Sequence, residues 1–373
     1  MLLFLATLGL PVLLGLVSFV FFREKVTNKE LLGLFGVSIV SFLIMNIAMK
    51  SYNVDDTRYV SDLVNKATYY EPWNEYIHRT CSRTHCTGSG KTRSCYTTYY
   101  DCSYVKNHSE YWTKSTNTNR ELEISESEYS KIVKLWGGKR YFVDMNRNYH
   151  TKDGDAYSSD WDKKITTVEI ATFTQQYENR TLTANTLFNH EPYSKEQAVK
   201  KGLYEYPDIN SNHQITILGH PALPSETKRY YDYLNTFSDR YRVYVLYFKN
   251  KPVNTAFEQK KHWQGGNDNE LVICVGLDAK NTVKWVEPFS WSKSPIVEAK
   301  IRTYFSHDPG FDLAKLYPQL SQWMRNDWKK RDFHDFDYIE VELTRNQVLW
   351  IWILLSVINI GFTIFIIKNE FTR

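Results

Sequence analysis

Three long apolar runs interrupt an otherwise mixed chain. Met1 to Phe22, Leu31 to Met49 and Val348 to Ile367 carry no charged residue. Each is long enough to cross a hydrocarbon core of about 30 Å at about 1.5 Å per helical residue. The pattern predicts a two-helix transmembrane hairpin over residues 1–50, kinked near Pro11, and a transmembrane helix with a short tail over residues 344–373. No Lys or Arg precedes the first run and no small-x-small site follows it, so a retained span is predicted rather than a cleaved signal peptide. Trp350 and Trp352 open the last run and Lys368 closes it, an aromatic belt at one interface and a cation at the other.

Sidedness follows from the short basic ends. Arg23, Lys25 and Lys29 lie in the turn between the first two runs, and Lys368 and Arg373 lie in the tail. Three crossings put both segments on one side, and the excess of cations marks that side as cytoplasmic. Residues 51–347 are then expected to be extracytoplasmic, in a periplasm or at the cell exterior, with residues 23–30 and the tail inside.

The outer segment divides by periodicity. Residues 51–222 predict a Cys-containing β-rich region after a short helical start, where Val60, Leu63, Val64 and Ala67 have helical spacing. Leu122–Ile124, Tyr141–Val143, Val168–Phe173 and Ile215–Ile217 are short β candidates between Asn, Asp, Gly and Ser clusters. Residues 223–343, after the link at His220-Pro221, predict a small α/β sandwich in the order αβαββαα. Ser225 is a candidate cap for a helix with Tyr230, Leu234, Phe237 and Tyr241 on one stripe. Arg242–Phe248 and Leu271–Leu277 are apolar on both faces, as central strands are, and the helix from Val253 to Trp263 between them predicts a right-handed parallel crossover. Val283–Glu287 is a third strand. Ser294-Pro295 opens one further helix, and Pro318 is expected in the first turn of another. The predicted fold class is thus a membrane-anchored α+β protein.

Composition adds a constraint on partners. The chain has 46 Lys and Arg against 42 Asp and Glu, and its outer segment 40 against 39. A charge this close to neutral gives no long-range attraction for DNA or RNA, so no nucleic-acid partner is expected. The aromatic content is high, with 27 Tyr, 20 Phe and 11 Trp. Half-buried strands and protein interfaces both favour such residues.

Four of the five cysteines, Cys81, Cys86, Cys95 and Cys102, lie within one short stretch. An even cluster outside the membrane predicts two disulfides, with all three pairings open. A zinc site is the rival, but its cysteines are usually two to four residues apart, and here only His78, His85 and His108 improve the match. Cys274 lies in an apolar strand and is expected to be a buried, unreactive thiol. Gly88-Ser-Gly-Lys91-Thr92 imitates the end of a phosphate-binding loop, but His85 stands where its first glycine belongs and no apolar strand precedes it; a loop tip is expected. Asn107-His-Ser109 and Asn179-Arg-Thr181 match the glycosylation pattern.

The segment Cys86-Thr-Gly-Ser-Gly-Lys-Thr-Arg-Ser-Cys95 resembles uncharacterised membrane proteins of bacteriophages and bacteria, which implies a bacterial inner membrane. The order of elements from Ser225, with Trp263-x-Gly265 before Asn267–Leu277, resembles the TPM domain, a membrane-anchored α/β module. That second resemblance implies a role in assembling or repairing membrane complexes, or a phosphatase activity.

Residues for catalysis are sparse. Asp332, His334, Asp335 and Asp337 are candidate ligands for a divalent cation, and Tyr149–Asp155 offers another imidazole with carboxylates. A solvated turn is the simpler expectation for both, and no cofactor is predicted. His307-Asp308, beside Pro309-Gly310, is expected to be a helix terminus. No nucleophile elbow, zinc-protease helix or nucleotide fingerprint occurs. The leading expectation is a non-catalytic binding or assembly module of the cell envelope, anchored in the bilayer, with other envelope proteins as partners and homo-oligomers possible. The alternatives are a metal-dependent phosphatase or hydrolase of the TPM type, and a phage protein that remodels the host membrane or excludes superinfection.

Overall fold

A computed structural model describes residues 2–22, 27–183, 193–207, 215–237, 239–307 and 310–369. Helices α1 (Leu2–Phe21) and α2 (Asn28–Val54) begin the chain. The Thr27 backbone N–H donates to Glu30 Oε2 at 2.7 Å and so starts α2 in a capping box. Arg23 to Val26 lie outside the described residues. The last helix is Arg345–Asn369, and it packs against both α1 and α2. Two of these helices, α2 and the last, are long and apolar enough to cross a membrane. Phe42, Ile351 and Leu355 form their shared core, and Ser38 Oγ meets Asn359 Oδ1 across the interface.

β1 (Asp55–Tyr70) continues directly from α2. Its first half pairs antiparallel with β10 (Ile170–Glu178), from Asp55 opposite Glu178 to Leu63 opposite Ile170. Its second half runs between β6 (Tyr111–Thr116) and β9 (Ala156–Asp160). β7 (Glu121–Ile124) and β8 (Tyr141–Val143) complete this six-stranded sheet. The helix expected at Val60–Ala67 is therefore corrected to strand. Where β1 changes partners, a bulge between Val64 and Lys66 shifts the register, so the adjacent Leu63 and Val64 are both buried. That break in alternation imitates a helical stripe. Helix α3 (Glu126–Leu135), capped by Ser125 Oγ accepting from Glu128 N at 3.2 Å, lays Tyr129, Ile132 and Val133 on Val64 and Ala67.

The C-terminal unit is built on four strands in the order β11-β12-β13-β14: Ile217–Leu218, Arg242–Lys249, Glu270–Leu277 and Val283–Ser290. The first three are parallel and β14 is antiparallel to β13. Helices α4 (Lys195–Lys201), α5 (Ser225–Leu234), α6 (Asn254–His262), α7 (Ile296–His307) and α8 (Leu313–Asn326) surround it, and the last helix, Arg345–Asn369, becomes α9. Val243, Val245, Leu271 and Ile273 face α5, α7 and α8, while Tyr244, Leu246, Val272 and Cys274 face Ala256 of α6 and Trp263. Burial on both faces is what selects Val, Ile, Leu and Tyr here. Two local expectations are corrected. Pro224, not Ser225, occupies the cap of α5. α8 starts before Pro318 because Asp312 Oδ1 accepts from Ala314 N at 2.8 Å and Lys315 N at 3.1 Å, leaving the proline inside the helix. β11 joins this sheet from before His220, so the α/β unit draws on both sides of the expected 222/223 boundary.

Candidate interaction surface

Between β1 and β6 the chain leaves the sheet as a long antiparallel arm. β2 (Trp73–Ile77) pairs with β5 (Tyr104–His108), and beyond them β3 (Thr80–Thr87) pairs with β4 (Ser94–Asp101). At about 3.3 Å per residue, the eight-residue ribbon β3–β4 alone extends on the order of 25 Å. A two-stranded ribbon has no core, and every residue of β4 is exposed. Covalent links take the place of packing: Cys86 bonds to Cys95, its partner in register, and Cys81 bonds to Cys102 just past the end of β4. Cys81 and Cys86 are five positions apart, so side-chain alternation puts the two disulfides on opposite faces. The Gly88–Thr92 motif forms the tip beyond the Cys86–Cys95 bridge, with a single 3-10 turn at Gly90–Thr92 and no helix behind it.

The exposed surface of the outer arm, from Arg79 to Tyr104, is aromatic and basic. Tyr96, Tyr99, Tyr100 and Tyr104 are all at least half exposed, with Tyr99 at 75%. Arg79, Arg83, Lys91 and Arg93 stand around them against one carboxylate, Asp101. Hydrogen bonds from Ser103 N and Oγ hold the Asp101 carboxyl below the usual range. His85 stacks on Tyr96 with ring centroids 5.4 Å apart. At the root the aromatics turn inward: Trp73 stacks on His108 at 4.3 Å, Tyr70 on Tyr111 at 4.3 Å, and the Arg147 guanidinium covers both Trp73 and Tyr70. His108 Nε2 meets Glu75 Oε2 at 3.0 Å. Gly154, at φ 65°, lies so close to Trp73 that an added Cβ would sit 2.5 Å from the indole's own Cβ. The Tyr149–Asp155 turn is thereby consumed in holding the root. The Asn74 side-chain oxygen accepts from Thr151 N and Lys152 N, and His150 stacks on Tyr76.

A second polar constellation joins the β-rich sheet to the α/β unit. Arg242, fully buried, donates from Nε to Tyr244 OH at 2.9 Å and from Nη1 to Ser61 Oγ of β1 at 3.1 Å. Asp268 takes Arg58 at 2.5 Å and Lys330 at 3.1 Å. Glu270 is buried, and desolvation raises its pKa against hydrogen bonds from Asn267 N at 2.9 Å and Asn267 Nδ2 at 2.8 Å. Trp263 and Gly265 belong to the same seam. Trp263 stacks on Tyr206 at 4.1 Å and donates to Tyr204 O at 2.7 Å, and Gly265, at φ 86°, has no room for a Cβ beside Trp291. These residues lie at the amino ends of β12 and β13, whereas ligands of open α/β sheets bind beyond the carboxyl ends. Sequence reasoning missed Arg242 and Glu270 as a buried pair of charges bracketing two parallel strands.

Asp332, His334, Asp335 and Asp337 surround a 3-10 turn at Phe333–Phe336 whose two phenylalanines are buried. Asp332 Oδ1 accepts from His334 N at 3.0 Å, Asp335 pairs with Lys293 at 3.2 Å, and Asp337 Oδ2 lies 3.3 Å from His334 Nδ1. The four side chains do not converge: among the described residues no three His, Cys, Asp or Glu groups are placed to share a cation. Cys274 is buried, and desolvation pushes its thiol well above the usual range. Asn179 is buried too and donates to Asp56 Oδ2 at 2.7 Å, which closes that sequon to a glycan in the folded chain, whereas Asn107 is exposed. His307 ends α7 with Nδ1 2.8 Å from Thr303 O, and Asp308 lies outside the described residues. No family model, curated protein or solved structure matches the chain.

Proposed function

We propose that the protein is a membrane-anchored, extracytoplasmic binding module that presents its stapled arm to another envelope protein. The observation that carries this reading is the arm itself. Its outer part, from Arg79 to Tyr104, has no core, is cross-linked on both faces, and exposes four tyrosines among four cations. Tyr and Arg are the residues that dominate protein interfaces, and rigid presentation lowers the entropic cost of docking. Disulfides persist in oxidising compartments, in keeping with an outer location for residues 51–347. Three crossings, by α1, α2 and α9, would anchor it. The seam around Arg242 and Asp268 fixes the arm-bearing sheet to the α/β unit, which gives the TPM-like part the role of a rigid base.

The test is chemical crosslinking in membranes followed by detergent pull-down with the full chain. A reproducible partner that is lost when Tyr96, Tyr99 and Tyr100 are changed together to Ser supports the reading. Recovery of an uncrosslinked monomer alone would contradict it.

A further inference from the structure

A cavity of about 850 Å³ opens where α2 and α9 meet the outer domain, within the size range of small-molecule sites. Its apolar lining comes from the buried Val54 and the exposed Ile47 of α2 and from Ile339 and Val341 of the segment leading to α9. Its wall carries charges of both signs. Lys50 is half-buried and makes no hydrogen bond or ion pair among the described residues. Arg180 also lines it, bonded to Glu178 at 2.8 Å and Asp337 at 3.4 Å, and so do the exposed Asp55 and Glu340.

The position of the cavity relative to the spans is what gives it a ligand. α2 is 27 residues long, about 40 Å, roughly 10 Å more than a hydrocarbon core, so its last turns stand at headgroup level. Trp350 and Trp352, exposed in the first turns of α9, mark the same level. Tyr52 and Tyr338, 75% and 77% exposed, both border the cavity as interfacial tyrosines would. Along α2 the cation comes first and the carboxylate later: Lys50 is nearer the apolar run, and Asp55 follows five residues outward. A phospholipid with a primary amine has that order, phosphate inside and ammonium outside.

Resting on the membrane-anchored reading, we propose that this cavity holds an aminophospholipid headgroup, its phosphate on Lys50 and Arg180 and its ammonium on Asp55 and Glu340. The exposed Ile47, on the membrane side of Lys50, takes the start of an acyl chain, which distinguishes a lipid from free phosphoethanolamine.

The experiment reconstitutes the full chain in vesicles of equal phosphatidylethanolamine and phosphatidylglycerol, tests flotation, then extracts it in mild detergent and counts retained lipid by mass spectrometry. Phosphatidylethanolamine is expected in clear excess. Lys50→Ala should reduce its retention about fivefold, the effect of one cation near a phosphate, and Lys50→Arg should restore it. Asp55→Asn with Glu340→Gln should erase the preference for the amine. Equal retention of both lipids, no retained lipid, indifference to Lys50→Ala, or replacement of the lipid by millimolar free phosphoethanolamine would overturn the proposal. Failure to float would instead overturn the membrane-anchored reading on which it rests. An unchanged tryptic pattern shows that each variant is folded.

Discussion

Arg58 of β1 and Asp268, at the amino end of β13, form an ion pair at 2.5 Å that ties the β-rich sheet to the α/β unit, with Lys330 on the same carboxylate at 3.1 Å. Asp268 is almost fully buried. Asp268→Ala leaves two cations facing each other without their shared anion. The expected loss is about 3 kcal/mol, typical of breaking one partner of a buried pair. Urea unfolding of the full chain in detergent measures it; a change below about 0.5 kcal/mol would show that the seam does not hold the two units together.

Glu270 gives the seam a pH signature. Burial raises its pKa in the folded chain, whereas unfolded it ionises near about 4.3. Between those two values the unfolded state binds fewer protons, so stability falls as pH rises through the window and is flat below it. In E270Q this contribution disappears. Wild-type stability minus that of E270Q should therefore become more negative as pH rises from 4 upward, and a difference independent of pH would refute the assignment.

The disulfides should stabilise the arm and little else. Loops of this size contribute about 3 kcal/mol each by restricting the unfolded chain. With Cys81 and Cys102 changed to Ala and Cys86 and Cys95 to Ser, trypsin should cleave rapidly at Arg83, Lys91 and Arg93 while the α/β unit stays intact. Simultaneous digestion of both parts would mean that the arm is integral to the core.

Within the apolar helices, Ser38 Oγ bonds to Asn359 Oδ1, and Asn359 Nδ2 donates to Leu355 O at 2.7 Å. Asn359→Leu removes the bond across α2 and α9 and should weaken their association by about 1 kcal/mol, as such pairs do in a membrane. Disulfide trapping between cysteines placed at Phe42 and Ile351 reports it as a lower cross-linking yield; an unchanged yield would deny the pair a role.

Much of the α/β unit was legible because its strands are buried on both faces. Val243–Phe248 and Leu271–Leu277 are continuous apolar runs with turn signals between them, as strands hidden from water on both sides are. β1 was misread for the opposite reason. It serves two pairings in turn, and the bulge at Val64 destroys the alternation by which a strand announces itself. The disulfide pairing was closed to sequence reasoning because it depends on register: Cys86 faces Cys95 only once Thr80 is set opposite Asp101. Arg242 and Glu270 were missed because a buried charge looks like a surface charge until its partners are known. Their one signal was position, a charged residue opening each of two strands that is followed at once by an unbroken apolar run.

The most direct measurement is site-specific photocrosslinking from the arm of the full chain expressed in cells. A benzophenone side chain replaces Tyr99, the most exposed tyrosine of β4, and a second chain carries it at Ser130 of α3, away from the arm. A protein adduct from position 99, absent from position 130 and lost when the arm disulfides are reduced, is the predicted result. No adduct at 99, or the same adduct at both positions, would contradict the account of the arm as the binding surface.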